Sequence, residues 1–83
     1  MVKLKITRAT GVAEFPITPR IEVAFESYVK KGLAKALTDD QKMTDVYYLA
    51  YLCIKSVEDV PLFGDAFLDS LIKVEVLSDN DPN

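Results

Sequence analysis

The sequence predicts an α+β domain, mainly α, with an N-terminal β-hairpin, three packed helices and a short disordered acidic tail. Three observations predict it. Val2, Leu4 and Ile6 alternate with Lys3, Lys5 and Thr7, and Ala13, Phe15 and Ile17 alternate back after Gly11, which is the period of a strand with one buried face. Thr18-Pro19 opens a stretch whose apolar residues recur at helical spacing. Finally, nine consecutive apolar or aromatic residues, Val46 to Ile54, follow Thr38-Asp39-Asp40-Gln41, which has the form of a capping box. One domain spanning residues 1–77 is expected, with residues 78–83 as the tail.

The hairpin covers about residues 2–17. Ala9-Thr10-Gly11 supplies its turn, where Gly11 can take a positive φ. Pro16 has no N–H to give to a ladder, so it belongs at an open edge or a strand end. Thr18 then caps a helix of about 19–37, with proline at the first helical position. Its stripe is Ile21, Ala24, Phe25, Tyr28, Val29, Gly32, Leu33, Ala36 and Leu37, against Glu22, Glu26, Lys30 and Lys31 on the wet side. Gly32 inside that stripe signals close packing or a bend.

A second helix of about 39–56 follows, with Asp39 and Asp40 on the positive end of its dipole. Val46, Ala50, Cys53 and Ile54 share one side of it, whereas Tyr48 and Leu52 lie nearly opposite. Val57 to Gly64 is a loop, broken by Pro61 and Gly64. Asp65 can cap a third helix of about 65–73 with Phe63, Ala66, Phe67, Ser70 and Leu71 inward. Val74-Glu75-Val76-Leu77 fits either a continuation of that helix or a short strand. Ser78 to Asn83 holds nothing apolar to bury, which predicts disorder.

Composition excludes much chemistry. The chain of 83 residues has no histidine and a single cysteine, so a structural zinc site, a disulfide framework, a Cys-His pair and a Ser-His-Asp triad are all ruled out within one chain. Cys53 lies inside the apolar helix, where an inert thiol is expected. Asp39-Asp40 and Glu58-Asp59 are explained by capping and solvation, because acid–base work needs burial and a partner of shifted pKa. The glycines are too scattered to cradle phosphate. No enzyme, metal or cofactor is expected.

Charge is uneven. Residues 1–37 carry seven Lys/Arg against three Asp/Glu, a balance of +4, and residues 38–83 carry three against ten, a balance of −7. The acidic half holds the apolar helix, and a recognition helix needs cationic and amide side chains. Nucleic acid is therefore not an expected partner. Nine apolar residues are far short of a bilayer span, and Met1 to Ile6 lacks the apolar core of a signal peptide. A cytoplasmic protein without a membrane partner is expected.

With the elements placed, the chain resembles a family. Pro19-Arg20, Val23-Ala24-Phe25-Glu26, a glycine-containing helix ending at Ala36-Leu37, Gln41-Lys42-Met43 and Val46-Tyr47-Tyr48-Leu49-Ala50-Tyr51 resemble the tail assembly chaperones of long-tailed phages. Phe63, Phe67-Leu68 and Val74-Glu75-Val76 fit the later part of that pattern, so the likeness runs in order over about residues 17–77. Tyr48 and Tyr51 stand where the family usually has tryptophan. The resemblance implies a protein that binds the tape measure protein and keeps it soluble until tail tube subunits polymerise around it, in the host cell cytoplasm. It also implies a short form, with a longer one made by frameshifting near the C-terminus; a chain ending in Ser78–Asn83 suits the short form.

The expected partner is thus the tape measure protein, with the tail tube protein and a second copy of the chain as further candidates. The residues nominated for client binding are Tyr47, Tyr48, Tyr51 and Leu52, with Phe63 and Phe67 as a second wall. Each has a core role as its alternative. Burial is favoured for Phe25, Leu49 and Phe67, and Tyr48 is evenly balanced. The rival function is a small structural or regulatory module that self-associates through the same aromatic face.

Overall fold

A computed structural model describes residues 2–37 and 42–78. Strands β1 (Val2–Arg8) and β2 (Gly11–Pro16) form the hairpin the alternation predicts, with Leu4 opposite Phe15 and Ile6 opposite Ala13. Gly11 carries a φ of 139°, a backbone position that a residue with a Cβ rarely adopts. Pro16 ends β2, which is an edge strand. Both expectations for that proline are met.

The sheet has a third strand that sequence left undecided. β3 (Leu71–Ser78) pairs antiparallel with β1, giving the order β2-β1-β3 with the first strand in the middle. Leu4 faces Val76 and Ile6 faces Val74 across this second pairing. The expected helix of 65–73 is accordingly shorter. It is the five-residue segment Asp65–Asp69, and Gly64, rather than Asp65, is its N-cap. The Ser70 hydroxyl donates to the Phe67 carbonyl at its end, and the alternating Lys73 to Leu77 then follows the ladder. Ser78, placed in the tail by composition, closes β3 opposite Val2; the rest of the expected tail lies outside the described residues.

The first helix starts as the sequence predicts. α1 (Pro19–Val29) is capped by Thr18, whose Oγ1 accepts the Ile21 N–H at 3.3 Å. It does not reach residue 37. Lys30 turns left-handed, at φ 63° and ψ 34°, while its N–H still donates to the Glu26 carbonyl at 2.9 Å. A single turn, α2 (Leu33–Lys35), resumes after Gly32. The apolar stripe persists across the break, since Leu33 and Ala36 are buried, and so periodicity alone did not reveal it. Gly32 marks the bend and not a close approach: a Cβ there would meet nothing nearer than Glu26 Oε2 at 3.9 Å. A non-glycine residue in the left-handed region is strained. Lys30→Gly is therefore expected to stabilise the chain by about 0.5–1 kcal/mol, read as a higher urea midpoint at unchanged slope.

The long apolar run forms α3 (Met43–Lys55), with Lys42 at its N-cap making no side-chain cap bond. The helix was expected from residue 39; the proposed capping box at 38–41 lies outside the described residues. α4 is Asp65–Asp69. α3 is the hub. It presents Val46, Leu49, Ala50, Cys53 and Ile54 to a core completed by Leu4 and Ile6 of β1, Val74 of β3, Ile21 and Phe25 of α1, and Phe67 of α4. The sheet thus buries one face under the helices, as its alternation requires, and keeps Lys3, Lys5, Lys73 and Glu75 on the other. Among the described residues no polar or charged residue is fully buried.

Candidate client-binding surface

A helix that is apolar nearly all round needs cover on every side. The sheet and α1 cover most of α3, and the remaining side is covered by aromatic rings. Tyr48 is at their centre. Its ring stacks on Tyr28, from the last turn of α1, at 3.7 Å and 12° between planes. It meets Phe63 edge-on at 5.1 Å and 81°, and Tyr51, one turn further along α3, lies 5.7 Å away. Beneath them Phe67 meets Tyr51 edge-on at 5.3 Å and Phe63 at 6.2 Å. Lys55 Nζ stands 5.6 Å from the Tyr51 ring centre.

The five rings grade from the interior to the surface. Phe67 and Tyr51 are buried, at 1% and 5% exposure, while Tyr28 is 54% exposed. Tyr48 and Phe63 are half-buried between them. Next to Phe63, Leu62 is 80% exposed. The edge-on pairs Tyr48–Phe63 and Tyr51–Phe67 each add about 0.5–1.5 kcal/mol beyond area burial. The cluster therefore ties the loop before α4 to the end of α1 and the middle of α3.

The nominated residues divide. Tyr48, Tyr51, Phe63 and Phe67 belong to this one cluster, with Tyr51 and Phe67 as its floor and Tyr48 and Phe63 reaching the surface. Tyr47 instead lines a separate hollow of about 170 Å³ with Leu68, Leu71 and Ile72. Leu52 lines a groove of about 340 Å³ with Arg20, Ile21, Ala24, Lys55 and Ser56. Tyr28 beside Tyr48 and Ile21 beside Leu52 make α1 and α3 antiparallel, so this groove and the aromatic cap lie along one seam. Small Ala24 opens the seam, Tyr28 and Tyr48 close one end, and Arg20 and Lys55 place positive charge at the other.

Sequence reasoning missed Tyr28 by assigning it to the inward stripe of α1. No signal within α1 marks it, because what sets Tyr28 apart is its stacking on Tyr48 of another helix.

Burial pushes the Tyr48 hydroxyl above its usual range, and neighbouring Tyr28 and Tyr51 push it the same way. Burial also pushes the Cys53 thiol up to about 12. Cys53 is fully buried, so the reactive thiolate is suppressed as well as covered. It is expected to react with a thiol reagent only as fast as the chain unfolds, which stopped-flow labelling against urea concentration measures.

Ion pairs brace the edges of the surface. Lys31 Nζ lies 3.5 Å from Asp45 Oδ2, with both side chains largely covered. Arg8 reaches Glu58 with two guanidinium nitrogens, at 3.3 and 3.4 Å, and ties the end of β1 to the loop after α3. That exposed pair is worth under about 1 kcal/mol. Among the described residues no group of three His, Cys, Asp or Glu could hold a metal ion, and no helix is long and apolar enough to cross a membrane. No family model, curated protein or solved structure matches the chain.

Proposed function

We propose that the chain is a tail assembly chaperone of the long-tailed phage type, a binding protein and not an enzyme. In this reading it holds the tape measure protein soluble in the host cytoplasm until the tail tube polymerises. The ordered resemblance over residues 17–77 supports the identity of the client. The observation that carries client binding is the stacked Tyr28–Tyr48 pair beside Phe63 and Leu62. Tyr28 and Leu62, 54% and 80% exposed, extend this cluster into an aromatic and aliphatic surface that water alone leaves uncovered.

The site is the seam between α1 and α3. Tyr28, Tyr48 and Phe63 offer rigid rings at low entropic cost, Ala24 and Leu52 offer a trough, and an apolar helix of a client fits such a groove through its own i, i+3 and i+4 side chains. Arg20 and Lys55 favour an acidic group toward one end of the bound helix. The chain's net charge of −3 keeps the complex in solution.

Co-expression with the tape measure protein of the same phage tests this. The client is expected to become soluble and to co-purify. Tyr28→Ala is expected to lower stability by about 1 kcal/mol or less, yet to cut captured client roughly tenfold. A client that stays insoluble with the native chain, or capture unaffected by Tyr28→Ala and Tyr48→Ala together, would count against the reading. A tight dimer that buries the tyrosines would favour the self-associating module instead.

A further inference from the structure

The geometry points to a second interaction surface, away from the aromatic cap: the open edge of β3, which pairs antiparallel with β3 of a second copy to make one six-stranded sheet. The sheet has two edges, and they differ. β2 ends in Pro16 and carries Gly11 and Glu14, features that blunt an edge. β3 reads Leu-Ile-Lys-Val-Glu-Val-Leu-Ser without proline or glycine; its register with β1 shifts at Leu71–Ile72 and is regular from Lys73 to Ser78. Among the described residues its outer edge has no backbone partner. Ile72 and Val76 are 66% and 41% exposed. An edge of unpaired backbone groups is a template for another strand, and Lys73 and Glu75 on it decide which strand fits.

Charge identifies the strand recruited. Lys73 and Glu75 are adjacent on the outer face, 3.5 Å apart, and cancel each other. A two-fold axis perpendicular to the sheet keeps both packed faces on the same side. Residues directly opposite must then share a face, which places the axis beside a single residue. An axis at Lys73 opposes two lysines, and one at Glu75 opposes two glutamates. An axis at Val74 sets Lys73 opposite Glu75 of the second copy twice over, and brings Ile72 opposite Val76. This register also continues a pattern the sheet already has. Glu14, Lys5 and Glu75 lie in one row across β2, β1 and β3, and Lys73 of the second copy extends the alternation of sign to a fourth strand.

The same axis joins two apolar hollows. Leu37, Met43, Val46, Val74 and Val76 line a groove of about 260 Å³ beside this edge, and Ile72 of the second copy arrives at its rim. Apolar cover and backbone pairing are then gained together.

Sedimentation equilibrium of the full chain across the micromolar range tests the surface. A reversible dimer is expected. Lys73→Glu alone and Glu75→Lys alone each oppose like charges twice, and each is expected to weaken dimerisation roughly tenfold or more. An equimolar mixture of the two variants restores opposite charges at both positions and is expected to recover a heterodimer. Tyr28→Ala, at the exposed end of the aromatic cluster, is expected to leave the dimer intact. A native chain that stays monomeric, charge variants that dimerise undiminished, a mixture no tighter than its components, or a dimer lost with Tyr28→Ala would each overturn the proposal. Because Glu75→Lys also faces Lys5 within its own sheet, amide exchange of the native chain provides a test that needs no variant. Exchange from Ile72 to Val76 is expected to slow as concentration rises, and unchanged exchange would overturn the pairing.

Discussion

Phe67→Ala is expected to cost about 3–5 kcal/mol, the range for emptying a buried aromatic site, and to leave the chain largely unfolded at moderate urea. A domain of this size has only about 4–12 kcal/mol in total. Phe67 is 1% exposed and is the buried residue of α4, a segment of five residues. So short a helix has no stability of its own. It is held by the contacts of this ring with Tyr51 and Phe63, and it delivers the chain directly into β3. Loss of the ring therefore removes the floor of the aromatic cap and the anchor of the third strand at once. Urea denaturation followed by far-ultraviolet circular dichroism measures the cost. A loss under about 1 kcal/mol would show that the rings above can collapse into the space, and that Phe67 is interchangeable with the surface members of the cluster. Tyr28→Ala is the internal contrast, since it removes a ring from the same cluster at its exposed end.

The contrast also marks what the sequence could and could not convey. Period-two alternation in Val2 to Thr7 and the Thr18-Pro19 start each rest on local rules, and both hold to within a residue. The break at Lys30 is set by one residue in a left-handed conformation and by the Leu33 N–H, which donates to the Glu26 carboxylate seven residues earlier. The stripe, being continuous across it, pointed to a single helix. The third strand was ambiguous for a related reason. Val74-Glu75-Val76-Leu77 satisfies a strand and tolerates a helix, and the decision rests with the β1 partner it finds some seventy residues earlier in the chain. At the site, the run Val46 to Ile54 announced an aromatic surplus, but which tyrosines are floor and which are surface depended on neighbours from three other elements. Tyr28 is one such neighbour, and its stacking on Tyr48 is a contact between helices that no single-helix projection contains.

Glu26→Ala is expected to cost about 1.5–3 kcal/mol, the range for a hydrogen bond to a charged group. Glu26 works twice in the turn between α1 and α2. Its carbonyl accepts the Lys30 N–H that closes α1, and its Oε2 accepts the Leu33 N–H at 2.7 Å, at the start of α2. The negative carboxylate meets the positive end of that turn, which strengthens the bond. Removing the side chain leaves the carbonyl in place but orphans a part-buried N–H. Leu33 and Ala36, both buried, are then held only by packing. Glu26→Gln keeps an acceptor of similar reach without the charge, so it is expected to cost less than half as much. Hydrogen exchange at Leu33 separates a local effect from a global one. The amide is expected to lose protection in Glu26→Ala even where the rest of the core keeps it. The effect on function follows from the same position: the turn sets where α1 ends, Tyr28 sits one residue before that end, and a loosened turn frees the outer ring of the Tyr28–Tyr48 stack. Client capture is therefore expected to fall in Glu26→Ala along with Leu33 protection, although Glu26 itself is no part of the aromatic surface. Capture that stays at the native level while Leu33 exchanges freely would show that α1 holds Tyr28 without help from the turn.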